Sequence, residues 1–357
     1  MAVTSYGVNA NETVKLWSRQ LFTEIETETV MASLMGTDSD SVIQVVEDTQ
    51  KSAGDRVTMQ LRVLLSGRGV VGNAVLEGNE ERLTTYTQNL LIDHQRHGVR
   101  TGGQIDEQRI PWDMRENAMK GLRDWWADRM DVSTINQLAG NTAQSDLAYT
   151  GHNATVAPSS ATGNTRILYG GGTHTTENSL SSSSESFSLT YIDRAINQAQ
   201  IATPLIRMPD TPWGKGYVMI VHPNIMRTLS TNAAANTIHI WQIQQAQMQG
   251  GKTDKMERRS NFPQVFKYRD TFLVTDDRIP LAPSTTTVYR NLFLGAQAGA
   301  VAFGKRYGNR RMSWKEKLFD YDEQLGVKAG MIWGCTKTTF NSRDLGTIVV
   351  SAMANAP

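Results

Sequence analysis

The sequence predicts a mixed fold, α/β or α+β, on three observations. Residues 55–65 alternate side chains with the period of a half-buried strand, Val57, Met59, Leu61, Val63 and Leu65 against Thr58, Gln60, Arg62 and Leu64. Met119, Leu122, Trp126 and Met130 recur at spacings of three and four, which places them on one face of a long helix. Beyond residue 190, short helical patterns alternate with buried-looking strands. With 357 residues, 39% of them hydrophobic, the chain can bury a sizeable core in one large domain or two intertwined ones, at the usual ~100–200 residues per domain.

The elements follow in order. In residues 12–35, Leu16, Leu21, Ile25, Val30 and Leu34 recur at roughly helical spacing, which predicts an amphipathic helix ending near Gly36. Its apolar face needs a partner, either its own domain or a neighbouring subunit. A second extended stretch at residues 84–94 follows the strand of residues 55–65, and the intervening SGRGVVGNAVLEGNEERL is too rich in glycine and charge to bury a core. Residues 55–100 therefore read as a projecting hairpin, whose Arg68, Glu77, Glu80, Glu81 and Arg82 suit salt bridges to another copy. Pro111 is placed for the first turn of the long helix and Gly140 for its stop; Trp125 and Trp126 are packing mass within it. Residues 141–188 are dominated by Ser, Thr, Gly and Asn, as in TGNTR, GGGT and SSSS, and read as a surface excursion or insertion. A helix at 191–202, a strand at 217–221 ending in HPN, a helix at 235–249 and a strand at 271–274 come next. The apolar VYRNLFLGAQAGAVAFGK, extended segments at 315–320 and 326–340, and a strand-like tail at 346–353 complete the chain.

Composition excludes several function classes. Lys and Arg number 36 against 35 Asp and Glu, and a net charge of +1 offers no concentrated basic charge to nucleic acid or an anionic membrane, which argues against a dedicated DNA-binding protein. The single cysteine, Cys335, can form no internal disulfide and lacks partners for a thiolate metal site, so maturation in a reducing cytosol is expected. No apolar run approaches the ~18 residues needed to span a bilayer, and MAVTSYGVNANETVKLW resembles no secretory leader, so a soluble chain outside that route is expected.

Candidate chemistry is thin. Gly67-Arg68-Gly69-Val70-Val71-Gly72 is a literal G-x-G-x-x-G after a predicted strand, with Asp93 some twenty residues on, but Asn73, Gly78 and Asn79 preclude the crossover helix a dinucleotide site needs. His94 and His97 sit three apart on an extended segment, which points them to opposite faces, so no metal is expected. His222 and His239 have no nucleophile to serve, and Asp38, Asp40, Asp276 and Asp277 fall on expected loops, where they cap turns or are solvated. No catalytic, cofactor-binding or metal-binding residue is assigned.

Several strings taken together resemble the N4-like family of tailed-phage major capsid proteins: GDRVTMQLRVLLSGRGVVGNAVLEGNEERL, LIDHQRHGVRTGG, the helix ending in RDWWADRMD, RNLFLGAQAGAVAFGK, and KLFDYDEQLGVKAGMIWGCTKTTFNSRDLGTIVV. The likeness runs from about residue 12 to the C-terminus, with residues 141–188 departing from the compact pattern. The resemblance implies an α+β, HK97-like fold, divided into an N-terminal arm (1–50), an extended hairpin loop (51–103), the spine helix of a peripheral domain (104–140), a Ser/Gly-rich insertion or loop (141–189), an axial domain (190–304) and C-terminal strands of the peripheral domain (305–357). It also implies self-assembly into hexamers and pentamers of an icosahedral head around double-stranded DNA, held without base readout. Scaffolding, portal and decoration proteins are the further partners implied, with no membrane, and the virion as location after synthesis in the host bacterial cytoplasm. Arg68, Glu77, Glu80, Glu81 and Arg82 are the expected inter-subunit contacts, with Leu16, Leu21 and Ile25 as an arm face on an adjacent subunit. Another self-assembling shell or tail protein, or an enzyme on an α/β domain, remains as an alternative.

Overall fold

A computed structural model describes residues 21–46, 56–62, 65, 67–73, 75–111, 113–160, 165–171, 174–180, 186–231, 265–283, 287–304, 311–321 and 323–354. Leu16 and the helix expected at 235–249 lie outside these residues.

Residues 21–28 form α1, followed by β1 (Met35–Gly36) and β2 (Ile43–Val46). Strands β3 (Arg56–Arg62) and β4 (Thr85–Leu91) pair antiparallel along their whole length, Arg56 opposite Leu91 and Arg62 opposite Thr85. After Ile92 comes β5 (Asp93–Arg100), then α2 (Gln104–Arg109) and α3 (Met114–Ala139). Next are β6 (Ile167–Tyr169), α4 (Leu189–Ile201), the small ladder of β7 (Asp210–Thr211) and β8 (Gly214–Lys215), β9 (Tyr217–Val221) and α5 (Pro223–Thr231). The remainder is strand: β10 (Val265–Tyr268), β11 (Thr271–Thr275), β12 (Val288–Leu294), β13 (Gly299–Gly304), β14 (Met312–Phe319), β15 (Gln324–Lys337), β16 (Thr339–Phe340), β17 (Arg343–Asp344) and β18 (Thr347–Met353).

Two six-stranded sheets organise these elements. The first runs β1-β2-β13-β15-β14, with β5 also on β15. The 14-residue β15 is long enough to pair β14 along its first part and β13 along its last, while its other edge takes β5. The second sheet runs β10-β11-β9-β12-β18-β6. Alternation along β9 and β12 gives this sheet two buried faces. Val218, Ile220, Leu292 and Leu294 share a core with Trp126 and Met130 of α3 and with Trp314 and Trp333 of the first sheet, while Met219, Val221 and Phe293 pack against Ile192 and Ile196 of α4 and Ile225 of α5. Both sheets thus meet on α3, which touches β15 and β12.

The segment read as one helix over 104–140 is two. Pro111 has no N–H to donate and disfavours helical backbone at Ile110, which is extended (φ −107°, ψ 131°). The chain restarts at Asp113, whose carboxylate accepts from the Arg115 N–H at 2.8 Å as an N-cap. At the other end Gly140 adopts the left-handed conformation (φ 59°) that the expected stop requires.

Other boundaries move for topological reasons. Residues 93–100, placed in the hairpin by the sequence, are a ladder strand of the first sheet. Between β12 and β13 the chain crosses from the second sheet to the first, so β13, assigned to the axial segment, lies beside β15, and β18, assigned to the periphery, lies between β12 and β6. The helix α5 was not anticipated; the HPN string opens it, with Pro223 at its start.

The described parts of the Ser/Gly-rich stretch are tied into the fold by hydrogen bonds and burial. Gln137 of α3 donates from Nε2 to Thr150 O (2.6 Å) and Asn153 O (2.7 Å), and Asn153 Nδ2 donates to Leu91 O, Gly151 O and Cys335 O. Further on, Ile167 and Leu168 are buried in β6. Buried amides, not apolar bulk, hold the first part of this segment, which is why hydropathy misses it.

Candidate functional site

The β3–β4 ladder is anchored at its root. Gln88 donates from Nε2 to Lys337 O at 2.8 Å and accepts from the Thr339 N–H at 2.8 Å, while Leu91 exchanges two hydrogen bonds with the Asn153 amide. Between Arg62 and Thr85 the described apolar side chains lose cover: Val71 is 81% exposed and Val75 68%, with Leu65, Leu76 and Leu83 also exposed. The string from Gly67 to Gly72 sits here, without a helix after it; Gly69, Gly72 and Gly78 all have positive φ, serving the turns of the loop.

The five charged residues expected here divide by role. Glu81 accepts the Gly67 N–H and Glu80 the Gly78 N–H (2.7 Å), so both carboxylates also shape the loop. Arg68, Glu77 and Arg82 make no ion pair with a described residue. The exposed end thus combines large apolar side chains with the charges of Arg68, Glu77 and Arg82, which pair with no described residue.

The arm face is corrected. Leu21 and Ile25 of α1 are fully buried in the chain's own core with Trp126 and Met130, so they are not available to an adjacent subunit, and Leu16 lies outside the described residues. Of the two partners the amphipathic pattern allowed, α1 takes its own domain. Glu24 and Glu28 lie within 4.0 Å of Arg123 on α3, and Glu26 pairs with Arg311.

Among the described residues the histidine and carboxylate candidates form no reactive set. His97 stacks on Trp125 (centroids 4.4 Å apart), on the face of β5 turned to α3, and His94 takes the other face. His222 stacks on Tyr289 at 4.0 Å and burial holds its pKa down. His239 lies outside the described residues. Among the described residues no three His, Cys, Asp or Glu side chains are grouped to hold a metal ion. Cys335 is buried, and burial pushes its thiol up to about 12.

The model of the phage capsid protein family matches residues 5–257 and 261–356. The chain belongs to the phage capsid protein family. A curated relative, the major capsid protein of Pseudomonas phage KPP25, is 32% identical over 138 residues, which is 38% of this chain and 37% of the relative, so the matched stretch spans little more than a third of its length. Among solved structures, the capsid of Ralstonia phage GP4 superimposes with a TM-score of 0.76 at 28% identity, covering 93% of this chain and 92% of that one. The cyanophage Pam1 capsid asymmetric unit gives 0.70 at 18% identity, over 92% and 93% of the two chains. The fold of this capsid protein is therefore the α+β, HK97-like one that the resemblance implied.

One functional residue escaped the sequence reading. Asp131 of α3 is fully buried and accepts the N–H groups of Val30 (3.0 Å) and Met31 (2.9 Å), which ties the segment after α1 to α3. Arg278, beyond β11, reaches Asp128, Asp131 and Asp276 at 2.9, 3.2 and 3.5 Å, so one guanidinium joins α3 to the end of β11 in the second sheet. An Asp in the midst of a helix gives no signal of this in sequence. Burial pushes the Asp131 carboxyl up to about 6, against the opposing pull of the two N–H donors and Arg278. The native state then holds a proton between about pH 4 and 6 that the unfolded chain releases, so this group's contribution to stability falls as pH rises through that window, by on the order of 3 kcal/mol. Urea unfolding at pH 4, 5 and 6 should show Asp131→Asn flatter than wild type over that range; parallel curves would place the titration elsewhere.

Proposed function

We propose that this chain is the major capsid protein of a tailed phage, in the N4-like group, and that its copies close into hexameric and pentameric rings forming an icosahedral head around double-stranded DNA. The observation that carries this is the hairpin between β3 and β4. A lone subunit gains nothing by exposing Leu65, Val71, Val75, Leu76 and Leu83 beside Arg68, Glu77 and Arg82, which pair with no described residue, whereas a neighbouring copy would bury the first set and pair the second. Ring contacts of this kind are heterologous and individually small, and a shell sums many of them.

In this reading the first sheet with α3 is the peripheral domain, and the second sheet with α4 and α5 is the axial domain. The genome meets the inner surface through its phosphates, without base readout. Scaffolding, portal and decoration proteins are the proposed additional partners, the host bacterial cytoplasm the site of synthesis, and the virion the destination. The role is structural, with no turnover and no cofactor.

Electron microscopy and light scattering on the purified full chain test the proposal. Closed shells, or rings of five and six, are expected. A monomer or dimer that persists at high concentration and with a scaffolding protein added would overturn it.

A further inference from the structure

The helix α5 starts from a histidine. Pro223 takes its first position, and His222 before it holds the helix end: its backbone O accepts the N–H groups of Ile225 (2.9 Å) and Met226 (3.1 Å), and its ring Nδ1 accepts the Asn224 N–H at 3.1 Å. Ser, Thr, Asp and Asn are the usual side-chain caps, and none of them titrates near neutral pH; an imidazole does. With Nδ1 accepting, the single proton of the neutral ring sits on Nε2. The ring lies flat on Tyr289 of β12, centroids 4.0 Å apart and planes at 16°, and Tyr289 Oη accepts from Asn224 Nδ2 at 3.1 Å, so cap, ring and phenol close a loop of contacts. The His222 N–H donates to Asn291 Oδ1 at 3.3 Å. Beyond the cap, Ile225 and Leu229 seat α5 on the second sheet with Val221 and Phe293.

Charge reaches this ring from the turn after β11. Asp277 favours the protonated ring, whereas the neighbouring Asp276 is taken up by the Arg278 N–H (2.8 Å) and guanidinium (3.5 Å). From β12 the ring meets Tyr289 and Asn291, while Arg290 between them is turned to Glu177; along α5 the first cationic residue is Arg227. We infer that His222 is an acid-sensitive latch on α5: gain of a proton turns Nδ1 from acceptor into donor, breaks the bond to the Asn224 N–H and sets a cation at the positive end of the helix, so that the first turn of α5 opens. Burial outweighs Asp277 and holds the ring's pKa below the ordinary value of 6.5. The unfolded chain takes up this proton before the folded one does, so the latch contributes its full stability above that value and loses it as pH falls through the lower folded one. The latch lies within a single subunit and does not depend on ring formation.

Hydrogen exchange of the full chain tests the latch, read by mass spectrometry on peptides covering residues 223–231 and corrected for the intrinsic effect of pH. Between about pH 7.5 and about pH 5 the protection of wild type should fall about fivefold, the scale of a lost helix cap. His222→Asn keeps a cap acceptor that does not titrate, and its protection should change by less than about twofold. Asp131 and Asp276 titrate alike in both proteins, so the difference between the two belongs to the ring. Asp277→Asn removes the charge that favours the protonated ring, so its fall should move to lower pH, a response that a merely structural His222 would not give. Circular dichroism and thermal melting at neutral pH check that each variant is folded, and Asp277→Asn carries the test if His222→Asn does not fold. Equal falls in wild type and His222→Asn would overturn the latch, as would a wild type whose protection stays flat across the range or a fall that Asp277→Asn leaves in place.

Discussion

Arg290→Met is expected to be the most destabilising single change in this capsid protein, by about 3–5 kcal/mol. Arg290 lies on β12 with its side chain 7% exposed, and pairs bidentately with Glu177 at 2.7 Å through Nε and again through Nη2. Its Nη1 donates to Gly140 O at 2.6 Å and more weakly to Ala139 O, so the cation also satisfies carbonyls at the C-terminal end of α3. Removing it strands a buried carboxylate and uncaps α3 in one step. Equilibrium urea unfolding should show the loss, and Arg290→Met with Glu177→Gln should recover a large part of it, because no bare charge is then left inside. A single-variant loss under about 1 kcal/mol would mean that water reaches Glu177 once the guanidinium is gone.

The largest functional effect is expected from shortening the hairpin. Arg62 and Thr85 form its last ladder pair, so replacing residues 63–84 with Asn-Gly closes β3 to β4 in the tight turn that two-residue hairpin loops favour. The root contacts of Gln88 and Leu91 are untouched, and stability should stay within about 1 kcal/mol of wild type. Rings and shells should be absent at concentrations up to about a hundredfold above the wild-type onset, since the variant loses both the acidic cluster and the exposed apolar row. Normal shells from this variant would remove the hairpin from assembly.

Much of the architecture was legible because it rests on local periodicity. The two strands of the hairpin, the face of α3, its stop at Gly140, α4 and β9 follow from spacing and turn chemistry, which act within a few residues. The helix break at Pro111 was legible in principle, since proline restricts the residue before it, yet the apolar spacing beyond it dominated the reading. Among candidate contacts, the charges of the hairpin end stood out because a long polar loop has no local purpose. The buried face of α1 did not, since an amphipathic stripe has the same appearance whether its partner is its own domain or another copy.

The sequence by itself determined the mixed strand and helix content and the two paired strands of the hairpin, and its ordered strings resembled the capsid family to which the chain belongs. Tertiary structure alone decided which sheet each strand joins, because β12 and β13 read as neighbours in sequence but pair in different sheets, and pairing depends on partners far along the chain, Gly299 with Lys337 and Val288 with Met353. It alone decided that a polar segment is held by the amides of Gln137 and Asn153, that Asp131 secures the segment after α1, and that cations from β5, β14 and β15 converge on one face. Hydrogen bonds and charge clusters made across long separations leave no periodic trace, so only the folded chain brings them together.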